Sequence, residues 1–268
     1  MNIIEHHRFG AVDGYRFGFG PFGPPVMSVY IYFLEGILVD TALSNMRRNV
    51  LAVVEKLHPR RVVLTHHHED HSGNAAAIRT ACGVEIVGHP LVAVKMKKTF
   101  RIHPYQHLVW GRARGVAVTP LEGPVVSGRV TLEPIHTPGH SRDHTVYLER
   151  ENGWLFSGDL YLGEKIKFFR ADEELGDQIE SLKKVLRHDF DAVFCGHNPV
   201  PAGGRRRLKG KLDFLENFFG EVCRLRDRGM PPEEIISRLD NGGDRKIRWI
   251  TLGNASFANM VRAALRAG

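Results

Sequence analysis

An α/β fold with a small helical C-terminal subdomain is predicted by three features of this 268-residue chain. Apolar runs of strand length alternate with helix-length stretches in β-α-β-α-β order in the first part. A second series of the same kind runs on to about residue 197. From about Arg205 the strand pattern stops and only helical spacing remains, which divides the chain at 1–204 and 205–268.

The elements follow in order. Gly10-Ala11-Val12, Tyr15 to Phe19, Val26 to Phe33 and Ile37 to Asp40 read as strands, because apolar residues alternate and Gly or Pro separates the runs. A helix around Asn49 to Leu57 comes next, then the strand Arg61 to Leu64, a histidine-rich loop, a helix from Asn74 and the strand Val84 to Val87. Strand-rich sequence recurs from Val116 to Phe156, a helix follows near Asp177 to Leu186, and Asp191 to Phe194 is a last strand. Beyond it Leu212, Leu215, Phe219 and Val222 recur at helical spacing, with Leu208, Phe218 and Leu225 widening the stripe. Gly229-Met230-Pro231-Pro232 stops that helix, Glu233-Glu234 starts the next, and Asn241-Gly242-Gly243 ends it. Asn254 is expected to cap a last helix through Met260, Val261 and Leu265.

Composition narrows the class. With 43% hydrophobic and 25% charged residues, this is an ordinary globular chain able to build one large core. No stretch approaches the roughly 20 apolar residues of a membrane helix, so no membrane partner is expected. Met1 to Arg8 lacks the basic start and apolar run of a secretory signal, and cytoplasmic residence is the expectation. Three cysteines, Cys82, Cys195 and Cys223, lack C-x-x-C spacing and are read as reduced core residues. The net charge of +7 is uneven: residues 201–268 carry 14 Lys and Arg against 8 Asp and Glu. Such a surface suits an anionic substrate or nucleic acid, or serves only as a solvated face.

The densest chemistry follows Val62-Val63-Leu64: Thr65-His66-His67-His68-Glu69-Asp70-His71 holds four histidines and two carboxylates. Strand-like alternation puts His66 and His68 on one side and His67 and Glu69 on the other, solvent-facing or bracing a ligand. Asp70 and His71 follow at the turn, so a second nitrogen and oxygen pair stands beside the first, as a two-metal site requires.

This H-x-H-x-D-H cluster resembles the signature of the metallo-β-lactamase superfamily. The remaining motifs of that family occur in order: Asp40 ending Ile37-Leu38-Val39-Asp40, His140 in Thr137-Pro138-Gly139-His140, Asp159 in Ser157-Gly158-Asp159, and His197 in Cys195-Gly196-His197. The resemblance implies an αβ/βα four-layer sandwich, two sheets with helices outside, closest in style to glyoxalase II-like and lactamase-β-like endoribonuclease branches. It implies that His66, His68 and His140 hold one metal, that Asp70, His71 and His197 hold another, and that Asp159 bridges them. Two divalent ions are expected, zinc ahead of iron or manganese, since imidazole and carboxylate ligands suit all three. His68 stands where a redox-active diiron branch carries a carboxylate, which favours hydrolysis over oxygen reduction. The implied chemistry is hydroxide attack on an ester, thioester or lactone carbonyl of a small anionic substrate, with Asp70 as catalytic orienter and Asp40 bracing a ligand histidine or a loop backbone, or else only closing a strand-end turn.

An alternative, a metal-dependent phosphodiesterase on single-stranded RNA, rests on the basic C-terminal region and two further features. His144 completes a Gly-His-x-x-Asp-His pattern seen in RNase Z-like and endoribonuclease-like relatives and is expected to donate a proton or bind substrate. Between Glu85 and Glu122 no acidic residue occurs, while Lys95, Lys97, Lys98, Arg101, Arg112 and Arg114 interleave with Phe100, Tyr105 and Trp110. Phosphate pairing and base stacking need that mixture, and a solvated helix face with buried aromatics, the commoner case, gives it too. Tyr161 is expected to be a packed aromatic rather than a substrate contact.

Overall fold

The structure is a computed structural model and describes residues 1–21 and 23–268. The first sheet contains β1 (Ile3–Phe9), β2 (Val12–Gly18), β3 (Val29–Leu34) and β4 (Ile37–Val39), joined by antiparallel pairing. Three parallel strands extend it: β5 (Arg61–Leu64), β6 (Glu85–Gly88) and β7 (Thr119–Pro120). The intervening helices are α1 (Arg47–Leu57), α2 (Glu69–Ser72), α3 (Ala75–Cys82), α4 (Pro90–Met96) and α5 (Pro104–Val109). The second sheet has the order β13-β11-β10-β9-β8, from β8 (Val125–Ser127), β9 (Val130–His136), β10 (Thr145–Glu149), β11 (Trp154–Gly158) and β13 (Ala192–Cys195). A small pair joins β12 (Phe169–Arg170) to β14 (Ala255–Ser256). Helix α6 (Leu175–Val185) precedes β13, and α7 (Gly204–Asp227), α8 (Pro232–Leu239), α9 (Arg245–Ile250) and α10 (Phe257–Ala267) follow it.

Alternation along the strands builds the four layers. In β3 Val29 and Ile31 pack towards the helices of the first half, while Tyr30 and Tyr32 face the second sheet. In β5 Val62 and Leu64 take the helix side and Val63 the sheet side. The second sheet mirrors this, with Val146 and Leu148 against α6, α7 and α10 and Tyr147 between the sheets. The inter-sheet layer also buries Phe156 and Phe194. Two buried tyrosines cross it: Tyr32 donates to the Cys195 carbonyl at 2.6 Å and Tyr147 to the Leu64 carbonyl at 2.8 Å. Both bonds lie where the chain leaves β5 and β13 for the histidine loops, so the two loop bases are fixed relative to each other.

Several elements differ from expectation. Gly10, at φ +63°, is the turn between β1 and β2 rather than the start of a strand. The β1 strand escaped notice because it alternates polar and half-buried residues instead of apolar ones. The last helix is capped by Ser256, whose hydroxyl accepts from the Asn259 N–H at 3.2 Å, while the Asn254 amide donates to Tyr105. Cys195 is buried, but Cys82 and Cys223 are only partly so. The C-terminal helices share one core with the second sheet, and Lys211 on α7 donates to the Leu160 carbonyl at 2.7 Å. Among the described residues no helix is long and apolar enough to cross a membrane.

Candidate metal centre and its cavity

The loops after β5, β9, β11 and β13 meet at one edge of the sandwich, and two groups of ligand-type side chains converge there. His66, His68 and His140 form one; Asp70, His71, Asp159 and His197 form the other, each with its candidate ligand atoms within 4.8 Å of one another. In the first, His66 Nε2 lies 2.9 Å and His140 Nε2 lies 3.1 Å from His68 Nδ1. In the second, His71 Nε2 is 3.2 Å from Asp159 Oδ1, and His197 Nε2 is 3.3 Å from Asp70 Oδ2. The other oxygen of Asp159 faces His140 Nε2 at 3.4 Å, so this one carboxylate reaches both groups.

The outward nitrogens are held by partners that set the tautomers. Asp40, itself at φ +63°, accepts from His71 Nδ1–H at 2.7 Å, from the Thr65 N–H at 2.8 Å and from the Thr65 hydroxyl at 2.9 Å. The Thr65 oxygen then accepts from His66 Nδ1–H at 3.0 Å. One carboxylate thus orients a histidine in each group and leaves both Nε2 lone pairs pointing inward. His197 Nδ1–H donates to the Ser28 carbonyl at 2.7 Å, and His140 Nδ1 faces Glu173 at 3.4 Å.

The arrangement fits cations. A proton on His68 Nδ1 can satisfy one of its two imidazole neighbours, not both. His71 Nε2 and Asp159 Oδ1 lie buried 3.2 Å apart, and with His71 Nδ1–H given to Asp40 only an added proton or a cation between them relieves the carboxylate. A divalent ion resolves both conflicts, and nitrogen and oxygen donors without thiolate match zinc, iron or manganese.

Electrostatics divides the two groups. Burial, reinforced by nearby positive groups, pushes His66 and His68 well below the ordinary imidazole range. Burial acts in the same direction on His71 and His197, yet the carboxylates of Asp159 and Asp70, with Asp40 at His71, outweigh it and hold both well above. For Asp159 burial works upward, but His197 and His71 keep it well below the usual carboxylate range.

A cavity of about 130 Å³ opens over the two groups. Its wall is mostly apolar, with Met27, Val109, Trp110, Leu162, Phe168 and Ile247 prominent, and Arg170 and Tyr105 add polar groups. Ile247 and Ile250 come from α9, so the C-terminal segment supplies part of the wall.

All seven residues named as metal ligands therefore lie together, and Asp40 braces them. His144 is placed differently from expectation. Its Nε2 accepts the Asp159 N–H at 3.0 Å and its Nδ1–H donates to Thr137 at 2.8 Å, so neither nitrogen is free for substrate or proton transfer. Burial drives its pKa down to about 3, which keeps it neutral. It positions Asp159, and Gly158 at φ +47° makes room, because a Cβ there would meet His144 Nε2 at 2.7 Å. His67 points away from the cluster and pairs with Asp143 at 2.9 Å. Glu69 is buried rather than solvent-facing: it accepts from Gln106 at 3.1 Å, and burial raises its pKa to about 7. Tyr161 is packed in the core.

Sequence reasoning missed Glu173, Arg170 and the Ser28 carbonyl. Glu173 lies in Ala171-Asp172-Glu173-Glu174, which reads as an acidic helix start, and a backbone carbonyl leaves no signature at all.

Comparison with known proteins agrees with this geometry. The family model described as "Metallo-beta-lactamase superfamily" matches residues 24–197. The chain is 30% identical over 178 residues to a beta-lactamase-like protein 2 homolog of Drosophila melanogaster, covering 61% of this chain and 55% of that one. It is 31% identical over 165 residues to a hydroxyacylglutathione hydrolase of Rhodospirillum rubrum, covering 60% and 56%. It thus spans about half the length of these curated relatives. A solved beta-lactamase domain protein from Burkholderia ambifaria superposes with a TM-score of 0.69 at 19% identity, over 97% of this chain and 88% of that one.

Proposed function

The chain belongs to the metallo-beta-lactamase superfamily, and on that premise we propose that it is a metal-dependent hydrolase of a small ester, thioester or lactone. The observation that carries this reading is the pair of ligand groups joined by Asp159 at the floor of an apolar-walled cavity. Two divalent ions held there would supply Lewis acidity and lower the pKa of a water to about 7. Asp159 fixes the spacing of the two groups and Asp70 orients the attacking water from the side of His197. The apolar wall excludes bulk water and takes the carbon skeleton, while Arg170 offers a cation to an anionic substrate. The relative bearing the name hydroxyacylglutathione hydrolase supports an acyl substrate.

The phosphodiester alternative would use the same metal groups and keeps the basic C-terminal region, but two of its three supports weaken. His144 is committed to Asp159 and Thr137, the Phe100 ring lies against His67, and Tyr105 accepts from Asn254. The test is turnover by the zinc, iron and manganese forms of thioester, lactone, phosphodiester and single-stranded RNA substrates. Thioester or lactone hydrolysis that chelation abolishes is expected. Hydrolysis confined to phosphodiesters overturns the proposal.

A further inference from the structure

The basic segment does not form an extended surface. Lys97, Lys98, Arg112 and Arg114 turn into a second cleft of about 840 Å³, where Arg47 and Ser44 join them from the helical run that opens α1. Lys95 and Arg101 do not line it. Five cations therefore face one concavity, and among the described residues none of them has a carboxylate within 4.0 Å. The buried Nε of Arg47 has no hydrogen-bond partner. Burial, and then the charge of Arg114, lower the pKa of Arg47. Arg47 is partly buried and the other four are exposed, so their mutual repulsion is screened by water but still favours a bound anion. The positive end of the Ser44–Leu57 helical run adds to the same field.

We propose that this cleft is a binding site, separate from the metal centre, for a small molecule carrying two or more phosphate groups. Guanidinium forks and lysine ammoniums match phosphate oxygens, and five of them exceed what one phosphate requires. Single-stranded RNA fits less well, since base stacking needs aromatic faces and none lines the cleft. The ring of Phe100 lies against His67, Tyr105 bonds Asn254, and Trp110 belongs to the metal cavity.

The two sites are neighbours along the chain. Trp110 walls the metal cavity, Arg112 lines the basic cleft, and Gly111 at φ +78° turns between them. The Asn45 N–H donates to the Trp110 carbonyl at 3.2 Å, and a Cβ on Gly111 would meet Asn45 Oδ1 at 2.6 Å. An anion held at Ser44, Arg47 and Arg112 therefore abuts the turn that carries Trp110. The phosphates belong either to the tail of a substrate or to a separate regulator.

Calorimetric titration of the metal-loaded protein with adenosine 3′,5′-bisphosphate is the test. Saturable binding that weakens with salt is expected, reduced at least about tenfold in the Arg47→Ala, Arg114→Ala double variant and unchanged in Asp70→Asn. The double variant should melt no lower than the parent, since it removes repulsion, so loss of binding is not loss of fold. Absence of saturable binding overturns the proposal, as does equal affinity in the double variant or loss of binding in Asp70→Asn, which would move the probe to the metals. Tighter binding of a ten-nucleotide RNA, also lost in the double variant, would assign the cleft to nucleic acid instead. Two activity arms, which rest on the ester-hydrolase reading, distinguish the source. A KM that rises in the double variant only for a thioester on a phosphorylated carrier points to the substrate tail. A bisphosphate effect on turnover of an uncharged ester points to a regulator.

Discussion

The three-histidine group and the four-residue group sit at the same edge of the same sandwich, but they are built on opposite electrostatic principles. His66 and His68 are kept neutral by burial, while His71 and His197 are held proton-hungry by carboxylates. The first group offers lone pairs and little charge; the second offers two carboxylates of its own, with Asp40 immediately behind it. The contrast teaches that proximity of ligand atoms alone does not describe such a centre. What each group must give up to accept a cation differs.

Asp159→Asn tests that contrast hardest, because its two oxygens face both groups. We expect kcat/KM for a thioester to fall on the order of 10³-fold or more. A loss below about tenfold would mean that the groups do not act together. Asp40→Asn comes next, with metal affinity expected to drop about 10- to 100-fold at both groups, since Asp40 orients His71 directly and His66 through Thr65. Thr65→Val leaves the His71 bond in place and should weaken the three-histidine group alone. Metal titrations of the two variants check this, and identical profiles would erase the distinction.

Proton release provides a finer measure. The carboxylates raise the pKa values of His71 and His197, so an incoming cation competes with protons at this group. Affinity at the four-residue group should therefore fall as pH drops through neutrality. His66 and His68 are already neutral there and resist until lower pH, although His140, raised by Glu173 and Asp159 against burial, adds a proton to the first group. Calorimetry in buffers of different ionisation enthalpy counts the protons, and equal release from both groups would break the comparison. The smallest effect is expected of His67→Ala, whose ring pairs with Asp143 outside both groups. Its kcat/KM should stay within about threefold, with a stability loss of about 1 kcal/mol visible in denaturant unfolding.

Much of this was legible because the information was local. Alternation in Val29 to Tyr32 and Val62 to Leu64 assigned side chains to faces, and the same parity, carried into the loop, separated His66 and His68 from His67. The ligand loops could be found because each carries its ligands within a few residues of a strand end. What was illegible depends on where distant segments come to rest. Glu69 has the parity of an outward residue but is covered by α5 through Gln106. Glu173 reaches His140 only because β12 and α6 bring the two together. His144 sits in a catalytic-looking motif, yet the Asp159 amide takes its free nitrogen. The basic and aromatic residues interleave along the chain, yet Tyr105 and Trp110 wall the metal cavity while Lys97, Lys98, Arg112 and Arg114 line the other cleft, since short helices and turns part them.

The crossing of the two sheets by Tyr32 and Tyr147 has a mechanical counterpart in the ligand groups. Each group draws on both halves of the sandwich: His66 and His68 with His140, and Asp70 and His71 with Asp159 and His197. A cation in either place is a cross-link that closes a long stretch of chain and removes conformations from the unfolded ensemble. Free metal then enters the folding equilibrium as a stabilising ligand, contributing about 4 kcal/mol at a thousandfold excess over its dissociation constant. With ions bound at both groups, metal supply and resistance to unfolding would be a single variable, and a chelator would act on the seam between the sheets as well as on the chemistry above it.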